Sequence, residues 1–208
     1  MTSVAMEARY DRTDLANILR SGVALGLLQC VLIALFGFIQ VRVDGTVELV
    51  VCGVILLIGI ALTIALPGLW TRARTLEGIA GAAGIGFASA IVFLIVDVVL
   101  FQPLGLWSSR WLEIGGGVNW WYHPVWWMVG TYLPTMGAWV LANQTRKNGQ
   151  PSAFSLVVFT FVLAAIVLAI GGLIGFPGAH WGMGAFAVAI IPGLILLVIL
   201  SGIGQNRR

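Results

Sequence analysis

Six long apolar runs dominate this sequence and limit what it can fold into. They cover approximately residues 20–40, 48–69, 78–101, 124–144, 153–176 and 181–203. A helix needs about 20 mostly apolar residues to cross the hydrocarbon core of a bilayer, so each run is long enough for one crossing. A helix also satisfies its own backbone hydrogen bonds, which lipid cannot do. The sequence therefore predicts an all-α, polytopic integral membrane bundle of six transmembrane helices.

The composition agrees with a membrane environment and argues against nucleic acid as a partner. Hydrophobic residues make up 60% of the chain and charged residues only 9%. A soluble domain carries roughly 25% charged residues, so this chain has too few to cover a surface in water. The basic residues are spread over loops and termini and form no basic face of the kind that binds nucleic acid. Lipid is the expected main partner.

The distribution of lysine and arginine predicts the orientation in the membrane. With six crossings both termini lie on one side, and nine of the eleven basic residues flank the spans on that side: Arg9, Arg12, Arg20, Arg72, Arg74, Arg146, Lys147, Arg207 and Arg208. Cytoplasmic flanks carry such an excess. Both the N-terminal segment 1–19 and the tail 204–208 are therefore predicted to be cytoplasmic, with the membrane domain at 20–203. The excess of arginine over lysine favours a bacterial cytoplasmic membrane.

The longest connection, residues 102–123, is predicted to face outside. Leu104, Trp107, Trp111 and Ile114 fall on one helical face there, a pattern typical of a short interfacial helix. The glycines at 115–117 would end that helix.

Tryptophan is concentrated on the predicted outer side. Aromatic belts at both membrane interfaces explain part of this. The excess on one side predicts a docking surface, because tryptophan is enriched at protein interfaces. The residues of this predicted interface are Trp107, Trp111, Trp120, Trp121, Trp126 and Trp127. The expected partners are other membrane protein subunits or further copies of this chain.

Small residues recur at helical spacing in the third span. Helices in lipid associate through close fit at such residues. One ladder consists of Gly78, Ala82, Gly86 and Ala90, and a second, of Ala80, Gly84 and Ala88, runs beside it. We expect this helix at the centre of the bundle, packed on both sides. Pro134 and Pro192 are predicted to bend the fourth and sixth spans.

Asp97, His123 and His180 are the candidate chemical groups. Asp97 is the only acid in the interior of a predicted span, where a charge is costly, since Glu48 is the first residue of the second span. It is either a proton or cation site or an acid satisfied by partners. All three residues are predicted at the outer face, where two histidines and a carboxylate could bind a transition metal. His123 or His180 could instead ligate a haem or chlorophyll-type pigment, or bond only to backbone or water.

No motif of a known catalytic centre is present: there is no serine elbow, HExxH, Walker loop or intramembrane lysine. PVWWMVGTYLPTMGAW, residues 124–139, resembles one helix of the tryptophan-rich sensory proteins, but those have five spans and no residue role carries over. The sequence favours a non-catalytic subunit of a larger membrane complex, such as a respiratory or photosynthetic one. The alternatives are a transporter or channel using Asp97, and a metal- or tetrapyrrole-binding protein using His123 and His180. The cofactor itself stays unknown.

Overall fold

The computed structural model describes residues 11–107 and 122–203. This part contains six long helices and no strand: α1 (Leu15–Arg42), α2 (Thr46–Trp70), α3 (Leu76–Val96), α4 (His123–Asn148), α5 (Ala153–Leu173) and α6 (Met183–Gly202). A π-helical turn, Asp97–Phe101, continues α3 at its C-terminal end. The predicted all-helical character is confirmed, and each helix begins and ends within a few residues of its apolar run.

Five of these helices, all except α4, are long and apolar enough to cross a membrane. Large apolar side chains cover their outward faces, among them Val31, Ile58 and Ile166. Water would disfavour so much exposed apolar surface, whereas lipid does not. The predicted integral membrane helical bundle is confirmed at this level.

Part of the predicted outer loop lies outside the described residues. This applies to Trp111, Ile114, the glycines at 115–117, Trp120 and Trp121, and therefore to most of the predicted interfacial helix. The beginning of the loop is described, and residues 102–105 form turns.

The central helix of the bundle is α4, which contacts α2, α3, α5 and α6. Its side chains Val140 and Leu141 lie in the main core with Ile64 of α2 and Leu194 of α6. Helix α3, which the sequence predicted at the centre, packs between α1 and α4 and also contacts α2.

The contact between α3 and α4 depends on Gly86. A side-chain carbon added at Gly86 would lie 2.1 Å from the Gly130 carbonyl oxygen. That oxygen has no partner four residues later, because Pro134 has no N–H. The Cα–H of Gly86 points at it instead, which is a recognised weak hydrogen bond at helix interfaces. Ala82 and Ala90, also in the predicted ladder, are completely buried.

Other helix pairs make similarly close contacts through glycine. An added carbon at Gly22 of α1 would lie 2.4 Å from the Ala88 side chain, and one at Gly137 of α4 would lie 2.0 Å from the Ile64 carbonyl oxygen. Gly78, the first residue of the predicted ladder, contacts the N-terminal segment instead of a helix: an added carbon would lie 2.5 Å from Asp11 Oδ2.

We predict that Gly86→Ala destabilises the bundle, because the new methyl group overlaps the Gly130 carbonyl and α3 must move away from α4. Overpacking of this kind costs about 1–3 kcal/mol. The measurement is the thermal unfolding midpoint in detergent. Gly184→Ala is the matched control, since nothing lies within 4 Å of an added carbon there. The control should be neutral or stabilising, by up to about 1 kcal/mol. Equal midpoints for the two variants would contradict the close contact.

Candidate functional site

The candidate site is centred on Asp97, at the first residue of the π-helical turn. The Gln102 N–H donates to the Asp97 carbonyl oxygen at 2.9 Å, which is the i→i+5 bond of such a turn. Isolated π turns of this kind occur frequently at functional sites. Within this turn Asp97 is completely buried, while the next residues, Val98 and Val99, are exposed.

Four side chains donate hydrogen bonds to the Asp97 carboxylate. Trp107 Nε1 donates to Oδ1 at 2.9 Å, and Gln102 Nε2 donates to Oδ2 at 2.6 Å. The Tyr122 hydroxyl and His123 Nε2, the latter at 3.1 Å, also donate to Oδ2. An ionised carboxylate has about four lone-pair sites, two on each oxygen, and three of these four contacts converge on Oδ2. We call these five residues the Asp97 clamp.

The Asp97 clamp joins the two chain segments that flank residues 108–121. Gln102 and Trp107 lie before residues 108–121, whereas Tyr122 and His123 lie directly after them and begin α4. One carboxylate, at the start of the π-helical turn, therefore contacts the chain on both sides of these 14 residues. The sequence separation from Asp97 to Tyr122 is 25 residues, so the contact is tertiary.

Aromatic side chains surround the Asp97 clamp and limit the access of water. Phe93 stacks on Trp126 with ring centroids 3.9 Å apart and meets Phe101 edge-on. Trp107 and Tyr122 pack with centroids 5.1 Å apart. Hydrogen bonds are electrostatically stronger in such a low-dielectric environment than in water.

Tyr122 acts as a donor in this cluster. Its side chain is 4% exposed. Burial, and then the hydrogen bond to Asp97, raise the pKa of Tyr122 far above its usual value. The hydroxyl therefore stays protonated at physiological pH, and its proton bonds the carboxylate.

Trp126 is a buried donor without an acceptor. Its Nε1 has no hydrogen-bond partner among the described residues, although the atom is buried. Buried polar groups without a partner are rare in folded proteins. Trp126 lies in the same aromatic cluster as Trp107 and Tyr122.

The structure brings together two of the three predicted metal or cofactor ligands. Asp97 Oδ2 and His123 Nε2 lie 3.1 Å apart. His180 lies in the connection between α5 and α6, where its backbone N–H donates to the Gly178 carbonyl. Within residues 11–107 and 122–203, no three His, Cys, Asp or Glu side chains are placed to hold a metal ion together. The metal and tetrapyrrole roles of these residues stay predictions.

The three described tryptophans of the predicted interface are half-buried and make contacts inside the chain. Trp107 donates to Asp97, Trp126 stacks on Phe93, and Trp127 packs against Phe87 with ring centroids 5.2 Å apart. Trp107, Gln102 and Tyr122 were not predicted as partners of Asp97. Because an acid in a membrane span needs hydrogen-bond donors nearby, the polar residues closest to it in the sequence could have been proposed as its partners.

No family of known proteins, no curated protein and no solved structure matches this chain. Function is therefore inferred from the chain's own residues, and the Asp97 clamp is where burial and polar chemistry coincide.

We predict that Tyr122→Phe destabilises the protein more than Tyr132→Phe, the matched control on α4. Tyr122 donates to a charged carboxylate, and such a bond contributes about 1.5–3 kcal/mol. Tyr132 donates to the neutral Ile191 carbonyl at 2.9 Å, and such a bond contributes about 0.5–1.5 kcal/mol. Thermal or denaturant unfolding in detergent measures both. A Tyr122→Phe protein as stable as the wild type would show that the hydroxyl does not bond Asp97.

Proposed function

We propose that this protein is a non-catalytic integral membrane subunit of a larger membrane complex, and that a partner protein docks on its outer loop, residues 108–121. The observation that carries the proposal is the use of Asp97. Its carboxylate is completely buried and is bonded by donors from both ends of that loop. The buried carboxylate would therefore position the chain on both sides of residues 108–121.

A loop with fixed ends is suited to docking. Association is opposed by the ordering of flexible segments, and holding a loop in place beforehand lowers that cost. The Asp97 clamp would reduce the freedom of the loop before any partner binds. Removing one partner of a buried charge is strongly destabilising, so the loop ends would separate only at a high free-energy cost.

The composition of the loop supports the same proposal. Its 14 residues include Trp111, Trp120 and Trp121. Tryptophan is among the residues that contribute most binding energy at protein interfaces. Since the described tryptophans of the predicted interface, Trp107, Trp126 and Trp127, contact their own chain, these three are the better candidates for contact with a partner.

The proposal includes six membrane crossings, with α4 as the sixth. Helix α4 has 26 residues and would reach about 39 Å, which is enough to cross a bilayer. Its lower hydrophobicity fits its place among four other helices, where polar side chains are shielded from lipid. Its threonines bond within the helix, as Thr131 and Thr135 bond carbonyls one turn earlier. Six crossings would place both termini on one side. The basic flanks favour the cytoplasm for that side, and the excess of arginine over lysine favours a bacterial source.

The transport alternative has less support. A transported cation would have to replace donors that already bond both Asp97 oxygens. A shallow surface depression of about 340 Å³ beside the π-helical turn is lined only by apolar side chains such as Ile91, Val98 and Trp127. Metal or tetrapyrrole binding at His123 and His180 remains a further alternative, which an absorption spectrum and metal analysis would test.

Co-purification from the native membrane in a gentle detergent tests the proposed function. The full chain should elute with stoichiometric partner subunits or as a defined oligomer. The variant Trp111→Ala/Trp120→Ala/Trp121→Ala should release the partner, and Trp181→Ala, at an exposed tryptophan outside the loop, should retain it.

Two results would contradict the proposal. Elution of the wild-type chain alone, as a uniform monomer, would argue against a complex. Equal release of the partner by the loop variant and by Trp181→Ala would place the docking surface elsewhere.

A further inference from the structure

At the end of the bundle where α2 ends and α3 begins, the N-terminal segment packs against the α2–α3 connection. The Arg12 N–H donates to the Thr71 carbonyl at 2.8 Å. The Asp11 carboxylate accepts hydrogen bonds from the backbone N–H groups of Arg74, at 3.0 Å, and Gly78, at 2.9 Å. These bonds place Arg12 beside Arg72 and Arg74, although 60 residues separate them in the sequence.

The carboxylates near these three arginines are bonded to neutral donors. Asp11 is bonded by the backbone at the beginning of α3, and Glu77 accepts from the Thr13 hydroxyl at 2.9 Å. Asp14 accepts from the Asn17 N–H and caps α1. Among the described residues no ion pair involves an arginine. The guanidinium groups of Arg12, Arg72 and Arg74 therefore lie beside these carboxylates without pairing with them, and they can bond a ligand.

Arg72 has a backbone conformation that usually requires glycine. Its φ is +52°, in the left-handed region. The bonds from Arg72 N–H to the Leu69 carbonyl and from Ala73 N–H to the Gly68 carbonyl form a Schellman motif, whose left-handed position is normally glycine. A side chain retained in an unfavourable conformation suggests that the side chain itself has a role.

The arginine cluster lies where lipid headgroups meet a membrane helix end. Helices α2 and α3 are both apolar enough to span a membrane, and the arginines lie in the connection between them. Arg12 and Arg72 are exposed. Leu15 and Leu76, at the first turns of α1 and α3, are 69% and 70% exposed and could contact the acyl chains. Basic side chains at such a level attract anionic lipids.

We propose that Arg12, Arg72 and Arg74 form a binding site for the phosphate group of an anionic membrane lipid. The planar guanidinium bonds two phosphate oxygens at once, which makes arginine better suited than lysine to this ligand. The site brings two distant segments of the chain together around one headgroup.

The experiment measures thermal stability of the full chain in phosphatidylcholine bilayers with increasing phosphatidylglycerol. The unfolding midpoint of the wild type should rise with the phosphatidylglycerol content and then reach a plateau. Arg12→Gln/Arg72→Gln/Arg74→Gln should need at least about fivefold more phosphatidylglycerol for half of that effect. The control Arg20→Gln/Arg146→Gln/Lys147→Gln removes the same charge and should change the requirement less than about twofold. If both variants needed the same increase in phosphatidylglycerol, the proposed site would be wrong, and the lipid would be attracted by the overall charge of the protein instead.

Arg72→Gly tests the site with a variant that suits the backbone. In pure phosphatidylcholine it should be at least as stable as wild type, because glycine adopts the left-handed conformation freely. Its requirement for phosphatidylglycerol should still increase by about fivefold. An unchanged requirement would overturn the role of Arg72.

Inorganic phosphate, added to phosphatidylcholine bilayers, separates the two sources of phosphate. It should give less than half of the stabilisation that phosphatidylglycerol gives. If inorganic phosphate stabilised the protein as much as phosphatidylglycerol does, the ligand would be free phosphate and not a lipid.

Discussion

The carboxylate of Asp97 is completely removed from solvent, and an ionised group can be buried only where hydrogen bonds replace water. Four donors supply those bonds, two from each side of residues 108–121. Because burying the charge without these donors would be costly, Gln102, Trp107, Tyr122 and His123 must all stay beside Asp97. The end of α3, residues 102–107 and the beginning of α4 are held together by this interaction.

The positions of α3 and α4 near Asp97 also depend on the close contact between these two helices at Gly86 and Gly130. Gly86 allows the helices to approach until the Gly130 carbonyl, left without a donor by Pro134, meets the Gly86 Cα–H. This contact sets the separation at which Tyr122 and His123, at the beginning of α4, can reach Asp97. Helix packing and the Asp97 clamp therefore depend on each other, since movement of either helix would disturb the hydrogen bonds to Asp97.

Hydropathy predicts the helices well because each crossing requires a long apolar run, and the runs at 20–40 and 153–176 agree with α1 and α5. The sequence also predicts that Asp97 and His123 lie on one face, since both are at helix ends on the same side. It does not predict Gln102 as a partner, because the i→i+5 geometry requires a π turn that apolar periodicity does not reveal. Nor does it predict the bond from Trp107, whose spacing also fits an interfacial helix.

Amide hydrogen exchange followed by mass spectrometry, on wild type and Asp97→Asn in detergent, tests the central claim most directly. The account predicts faster exchange in the variant at both loop ends, residues 102–107 and 122–126, and unchanged exchange in α5. The asparagine would place an N–H₂ group against donors and release both ends together. Unchanged exchange at both ends, or faster exchange at one end alone, would contradict the claim that Asp97 holds the two ends of the loop.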